Sequence, residues 1–484
     1  MSDSPDLHDG SEAASLLASN QNDAATRDVV RRVPRKNISR LTLCCLALFF
    51  IVEMFNFVTY APLTVLFENV ICDAYYSKRS STRSGGYYDC KIEPIQGDLA
   101  RLKGWKGFFD TLPVFIVAFP LGKASDTLGR KFALASSIAS VLAGFLWILL
   151  VGYIPSIFPL KAIWLSAVMY LFGGGICQVN ATIILMTVEA AGERYRSQIM
   201  YYTYSLYLLA ELVGPAIASF SISTSLWLSF LLGITLLLMC LASTFFIPET
   251  RPRTERRHPE DPPSSSRDAY GERRQSQHWE RSSGIQIRNS RALMRHRNVL
   301  LAAPIFVVGQ FRLATLNLLL QYATVKFRWT FSSAALLISE IAAVNLIILG
   351  PVLSWVPSIL QHRYGWRTRT IDLWILRGSL GFLSIGAFMI GIAPRTDCLI
   401  FGVLIFSAGF GCRACLLALT TSWIDDNYRG RFFGITQIVE NIGLLIADPI
   451  IQNMFAASLG LSRVWIGISF WFVSVSVIRT FTLR

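Results

Sequence analysis

The chain has 484 residues, 53% hydrophobic and only 16% charged, with 32 Phe, 12 Trp and 33 Gly and a mean hydropathy of +0.46. A soluble domain carries nearer a quarter charged residues, so a soluble enzyme, a disordered scaffold and a nucleic-acid-binding domain are all disfavoured. The formal charge of +14 does not revive nucleic acid, because the basic residues gather in short segments between apolar runs, the pattern of topology determinants beside an anionic leaflet.

Residues 1–40 read as a disordered cytosolic tail, acidic first and then basic, with Arg31-Arg32-Val33-Pro34-Arg35-Lys36 directly ahead of the first apolar stretch. No cleavable signal peptide is expected, since that stretch begins late, is long and is followed by more of the same. An apolar run of about 20 residues crosses a bilayer as a helix. This predicts spans at 41–67, 105–121, 132–153, 163–186, 199–220, 226–247, 299–321, 332–356, 374–394, 398–423, 433–455 and 463–481. The hydrophilic stretch 248–298, with Pro259, Pro262 and Pro263 among Ser, Arg and Glu, reads as a mostly disordered linker. It divides the spans six and six, the layout of duplicated secondary transporters. The expected fold is all-α and polytopic, with one six-helix bundle over 41–247 and another over 299–484. With the N-terminus in the cytosol, 31 Lys and Arg fall in inner segments and 12 in outer ones, which sets the orientation and puts the linker inside.

The first span carries Glu53, Asn56, Tyr60 and Thr64 on one helical face. An ionisable group in hydrocarbon is costly and should face a cavity or a partner, so Glu53 reads either as a proton-exchanging carboxylate or as a structural one. The following segment, 68–104, is polar and reads as an outer loop in which Cys72 and Cys90 sit within pairing range along the chain. A disulfide suits an oxidising compartment, but sequence separation does not decide whether the two Cβ atoms approach.

Between the second and third spans runs Gly122-Lys123-Ala124-Ser125-Asp126-Thr127-Leu128-Gly129-Arg130-Lys131. Gly122 permits close helix approach and Gly129 a turn that a Cβ would crowd. Asp126 offers an acceptor to an arginine or a helix start, while Arg130 and Lys131 hold the loop on the cytosolic side. The segment resembles the G-x-x-x-D-(R/K)-x-G-R-(R/K) signature of the major facilitator superfamily, in the same loop. Gly122, Asp126, Gly129, Arg130 and Lys131 occupy its positions, and Thr127 departs from the usual basic residue. The resemblance covers about 41–481 through the six-plus-six layout, whereas the second-half copy, Gln361 to Asp372, keeps Arg363, Gly365, Arg367 and Arg369 but not the spacing. Pro248-Glu249-Thr250 is similar to the family's close of helix six. Ala210-Glu211-Leu212-Val213-Gly214-Pro215 is similar in part to the helix-five motif of its drug:proton antiporters. The tail, two-cysteine outer loop and Ser/Arg-rich linker look like fungal members. The resemblance implies alternating access about a central site, with the 122–131 loop acting at the gate.

Further along, Gln178, Thr182 and Glu189 share a face of the fourth span, and Glu189 lies near Arg194 and Arg196 as a gating or capping pair. Tyr204, Tyr207 and Glu211 share one side of the fifth, an aromatic wall with a carboxylate that suits an amphipathic cation, or else interhelical contacts. Gln310, Asn317 and Gln321 share a face of the seventh span, while Arg312 points away from it and reads as a partner for an acidic group elsewhere, such as Glu340, or for an anionic substrate. Arg413 has the same two readings. Gln437, Asn441 and Asp448 line the eleventh span with Glu440 beside them, so the two acids are expected to titrate together. Cys412 and Cys415 read as small packing residues. No histidine lies in any span, so a coupling proton would sit on a carboxylate, Glu53 or Glu211 ahead of Asp448.

No nucleotide loop, paired-cysteine metal site or nucleophile constellation is visible, so neither a cofactor nor enzymatic activity is expected. The first reading is a proton-coupled exporter of a small organic metabolite, toxin or drug, acting as a monomer in the plasma membrane or an organelle membrane. A nutrient importer, an uncoupled facilitator or a non-transporting solute sensor fits the same residues.

Overall fold

A backbone in hydrocarbon has no water to bond, so an apolar run satisfies itself by becoming a helix. All regular elements described are helical. The computed structural model describes residues 35–78, 88–191, 196–248, 297–348, 359–363, 365, 368–421, 429–462 and 464–482. Most of the 1–40 tail and the 248–298 linker, Arg194, the end of the eighth span and, in the Gln361–Asp372 loop, residues 364, 366 and 367 lie outside these residues.

The helices are α1 (Arg35–Lys78), α2 (Glu93–Leu128), α3 (Arg130–Tyr153), α4 (Ser166–Tyr170), α5 (Gly175–Ala191), α6 (Arg196–Thr224), α7 (Leu226–Phe246), α8 (Arg297–Lys326), α9 (Phe331–Ile347), α10 (Thr368–Ile392), α11 (Thr396–Ala408), α12 (Cys412–Thr421), α13 (Arg429–Ser458) and α14 (Ile468–Thr482). Among the described residues nine helices are long and apolar enough to cross a membrane, and Phe331–Ile347 and Trp465–Thr480 are shorter apolar helices. Phe119, Phe172 and Phe246 are 72%, 73% and 87% exposed, tolerable only where lipid replaces water. The chain is an all-α, multi-pass membrane protein.

The largest departure from the sequence reading is at 68–104, expected as a loop. There α1 continues to Lys78 and α2 begins at Glu93. Pro94 stands in the first turn of α2, where its missing N–H is harmless. Ile95, Leu99 and Leu102 recur at helical spacing and are buried, an apolar stripe hidden among polar neighbours. The fourth span is broken: a 3-10 turn (Leu160–Leu165) and α4 precede α5. The break falls at Gly174 and Gly175, whose φ values of +79° and +66° suit glycine. The tenth span is likewise interrupted by a 3-10 turn at Gly409–Gly411.

One apolar core lies entirely before the linker, around Phe49, Phe145, Phe230 and Leu237. Another is built mostly after it, around Phe306, Tyr322, Phe406, Phe455 and Phe470. Helices α2 with α13 and α6 with α9 pack together and join the earlier part of the chain to the later. These two seams carry most of the candidate site.

Candidate functional site

On α1, Glu53 is 4% exposed. Its Oε1 accepts from Asn180 Nδ2 of α5 at 2.6 Å and its Oε2 from Asn56 Nδ2 at 3.4 Å. Asn180 was not singled out in the sequence, where it is one amide in an apolar run. Tyr207 stands within electrostatic range of Glu53, Glu211 and Arg312 together, with its ring edge-on to Phe57 at 5.5 Å. The approach is close because Gly214 faces Phe57, whose Cα lies 3.4 Å from where a Cβ would stand.

Glu211 of α6 is 2% exposed, and its neighbours are Arg312 of α8 and Asn345 of α9. The Asn345 amide lies against the carboxylate, yet neither of its polar atoms is in hydrogen-bonding geometry. Arg312 stacks on Phe410 at 5.0 Å from the ring centroid. Its charged neighbour is thus Glu211 rather than Glu340, since the α6–α9 seam brings Glu211 inward.

At the α2–α13 seam, Asp448 is 8% exposed and takes Asn317 Nδ2 at 3.5 Å. A Cβ at Gly107 would stand 2.9 Å from that of Asp448. The Asn317 carbonyl accepts from Tyr60 Oη at 2.8 Å and from Lys103 Nζ at 3.1 Å. Lys103, assigned to a loop by sequence, is therefore a membrane-embedded lysine within range of Asp448. Lys106 pairs with Asp110 one turn further along α2.

Arg413 donates from Nε and Nη2 to both Glu440 oxygens at 2.6 and 2.7 Å, and from Nη1 to Tyr204 Oη. Glu440 is thus bonded to an arginine, and Tyr204, within electrostatic range of Tyr207, bonds the same arginine. Gly129 has φ +110° and makes the turn between α2 and α3. Arg130 reaches Ser125 Oγ at 3.0 Å and Glu189 at 3.1 Å, so Arg130 is a partner of Glu189. Lys131 Nζ donates to the Phe245 carbonyl at 2.9 Å. Among the described residues nothing stands within 4 Å of a Cβ added at Gly122, so no helix is pressed against it. Asp126 lies in α2, but its side chain is outside the described set.

At the opposite end Cys72 and Cys90 are joined in a disulfide, with Cα atoms 5.5 Å apart. Glu68 receives Lys91 Nζ at 2.6 Å and also Gln96 Nε2. Gln321 Nε2 reaches Gln96 Oε1 at 2.9 Å, and Lys91 lies over Phe331, 3.9 Å from the centroid. The Lys91 backbone N–H and Arg328 hold the Asp89 carboxyl below its usual range, while burial pushes the Lys91 ammonium down against the opposing pull of Glu68. Ser219 and Ser332 bond at 2.8 Å on the α6–α9 seam.

Gln178 bonds Thr182 at 3.4 Å, Gln310 packs by its Cγ on Gly443, and Asn441 is half-buried. A groove of about 620 Å³, lined by Leu149, Trp227, Leu228, Phe230 and Leu231, is apolar and remote from these groups. Lipid contact, not solute recognition, suits it.

Residues 99–448 match the family described as Major Facilitator Superfamily. The chain is 30% identical over 416 residues to efflux pump ustT of Aspergillus flavus, covering 84% of this chain and 80% of that one. It is 25% identical to MFS efflux pump atnC of Emericella nidulans, covering 91% and 86%. In fold it is similar to a D-xylose-proton symporter (TM-score 0.64, 15% identity, 91% of this chain and 96% of that one). It is also similar to the human organic anion transporter MFSD10 (TM-score 0.56, 15% identity, 91% and 99%). The chain belongs to the major facilitator superfamily.

Proposed function

We propose that this member of the superfamily exports a small organic solute in exchange for protons, with two six-helix bundles, 41–247 and 299–484, rocking about the polar centre. Secondary transport of a small organic solute, rather than catalysis, follows from family and fold. Direction and coupling are our reading. The observation that carries it is the position of three buried carboxylates, Glu53, Glu211 and Asp448, at or beside the seams where the two parts of the chain meet. A carboxylate at such a seam feels the opposite bundle in one conformation and loses it in the other, which is what coupling requires. Relatives described as efflux pumps support the outward direction.

The disulfide end is taken as the outer face, consistent with an oxidising compartment. On that reading Asp89–Arg328, Gln96–Gln321 and Lys103–Asn317 form an outer latch, and Arg413–Tyr204 an inner tie. The chain works as a monomer in the plasma membrane. The test is purified protein in liposomes with an entrapped pH dye and an imposed pH gradient. Addition of a transported solute should dissipate the gradient, and the gradient should drive its accumulation. Solute flux that ignores the gradient would make this an uncoupled facilitator, and no flux for any solute would leave a sensor.

A further inference from the structure

The neighbourhood of Glu211 holds a concentration of unmade hydrogen bonds. Glu211 Oε2, Arg312 Nε and Nη2, and both polar atoms of Asn345 are buried without a bonding partner. Glu211 is 2% exposed and Asn345 fully buried. They come from α6, α8 and α9, three helices on both sides of the α6–α9 seam. Each such group forfeits about 1–3 kcal/mol, more when charged, and native interiors leave few of them. Five in one neighbourhood point to a ligand.

Their chemistry limits what that ligand is. The guanidinium only donates, the carboxylate only accepts when ionised, and the amide does both. The Arg312 guanidinium lies over Phe410, 5.0 Å from the ring centroid, and its planar fork suits a planar, two-oxygen acceptor. A purely cationic solute would engage Glu211 and leave the Arg312 donors unmet. A purely anionic one would do the reverse. Only a molecule with an anionic acceptor and a cationic N–H donor on one small frame answers both.

We propose that Glu211, Arg312 and Asn345 form an amphoteric subsite that takes a zwitterionic, amino-acid-like or peptide-like head group. Its carboxylate lies on Arg312, and its ammonium on Glu211 with Asn345 alongside. The proposal rests on the transport reading above and narrows it to a substrate class.

The test uses the full chain in lipid nanodiscs and three probes with one reporter: Nε-dansyl-lysine (zwitterion), its methyl ester (cation) and its Nα-acetyl derivative (anion). Energy transfer from tryptophan to dansyl reads equilibrium binding without any need for flux. The zwitterion should bind roughly tenfold or more tightly than either analogue, since each analogue leaves one buried charged group unpaired. Arg312→Gln should lower the zwitterion to the level of the ester and leave the ester unchanged. Glu211→Gln should lower it to the level of the acetyl derivative, and Arg312→Lys should retain part of the preference. Equal binding of all three probes, binding of none, or equal weakening of all three by both Gln variants would overturn the subsite. The two readings fail separately. A chain that moves other solutes but treats these probes alike keeps transport and loses the subsite, whereas one that binds the zwitterion selectively and moves nothing keeps the subsite and loses transport.

Discussion

Arg328 Nη1 lies 3.0 Å from both carboxylate oxygens of Asp89, a residue 239 positions away in the chain. Arg328 holds φ at +58°, the only non-glycine residue with positive φ among those described. An arginine in that region bears strain that its local sequence does not relieve. On the other side, Asp89 sits next to Cys90, whose disulfide ties it to α1. Two constrained backbones therefore present the pair to one another.

The first prediction concerns this pair and pH. Asp89 is held below its usual range by the Lys91 N–H and Arg328. A depressed carboxylate stabilises fully above its unfolded value, near 3.9, and loses that contribution as pH falls through the lower folded value. The stability difference between wild type and Asp89→Asn should thus be constant from about pH 5 to 8 and shrink only in stronger acid. With side chains 50% and 60% exposed, it should stay below about 1 kcal/mol. Thermal unfolding in detergent across that range reads it, and a difference that grows on mild acidification would contradict it.

The second concerns the disulfide. Of nine cysteines, seven are free in the structure. Denatured protein treated with maleimide should gain seven labels without reductant and nine after reduction, read by intact mass. Nine labels without reductant would remove the bridge. Cys72→Ser with Cys90→Ser should lower stability by about 3 kcal/mol, the value for a loop of this length.

A third prediction separates two roles at the inner tie. Glu440 is buried and takes both Arg413 bonds. Glu440→Gln sets a donor against a donor and leaves the guanidinium half-paired. The loss should be about 1–2 kcal/mol, less than for a wholly buried pair because the Arg413 side chain is 42% exposed. Tyr204→Phe removes a single bond and should cost less in stability. Its effect belongs instead in faster labelling of a cysteine placed at the inner end. A larger stability loss for Tyr204→Phe than for Glu440→Gln would reverse this assignment.

Helical spans are legible because lipid demands long apolar runs, and so is a turn at Gly129, but the segment read as a loop over 122–131 is helical on both sides of that glycine, to Leu128 and from Arg130. Partners are not legible. Nearness along the chain offers Arg194 and Arg196 to Glu189, and their side chains lie outside the described residues; Arg130, which nearness does not offer, reaches it from α3. For Arg312 the sequence offers an acid elsewhere, such as Glu340, and the acid within its electrostatic range is Glu211 of the other half. Period reports which face of a helix a residue shares, and nothing in it reports which helix lies opposite. Lys103 is hidden for another reason: α2 begins with a turn-like, charged sequence, so its buried stripe of Ile95, Leu99 and Leu102 reads as loop. Asn180 and Asn345 carried no signal beyond being amides in apolar runs.

The last prediction concerns the coupling proton and Glu53. Its two oxygens face two amide donors, Asn180 Nδ2 and Asn56 Nδ2. That arrangement suits the ionised carboxylate, since a protonated one must find an acceptor. Asn180 supplies it: its Oδ1 is buried and unbonded, so turning the amide over exchanges donor for acceptor at little steric change. One residue can thus serve both protonation states. The same turn accommodates Glu53→Gln, whose new N–H₂ would otherwise meet a donor. We therefore expect Glu53→Gln to fold and insert, with a stability loss below about 1.5 kcal/mol, the worth of one hydrogen bond. Asn180→Leu should be worse folded, because it leaves the carboxylate with Asn56 alone. In proteoliposomes Glu53→Gln should abolish accumulation driven by a pH gradient while solute exchange persists, since the site is kept and only titration is lost. Glu211→Gln is the necessary companion, because Tyr207 places the two carboxylates in one electrostatic neighbourhood. If exchange and accumulation vanish together in well-folded Glu53→Gln, the residue holds solute rather than the proton. If both single variants still concentrate solute at wild-type rates, coupling passes to Asp448 beside Lys103, and Asp448→Asn should then remove it.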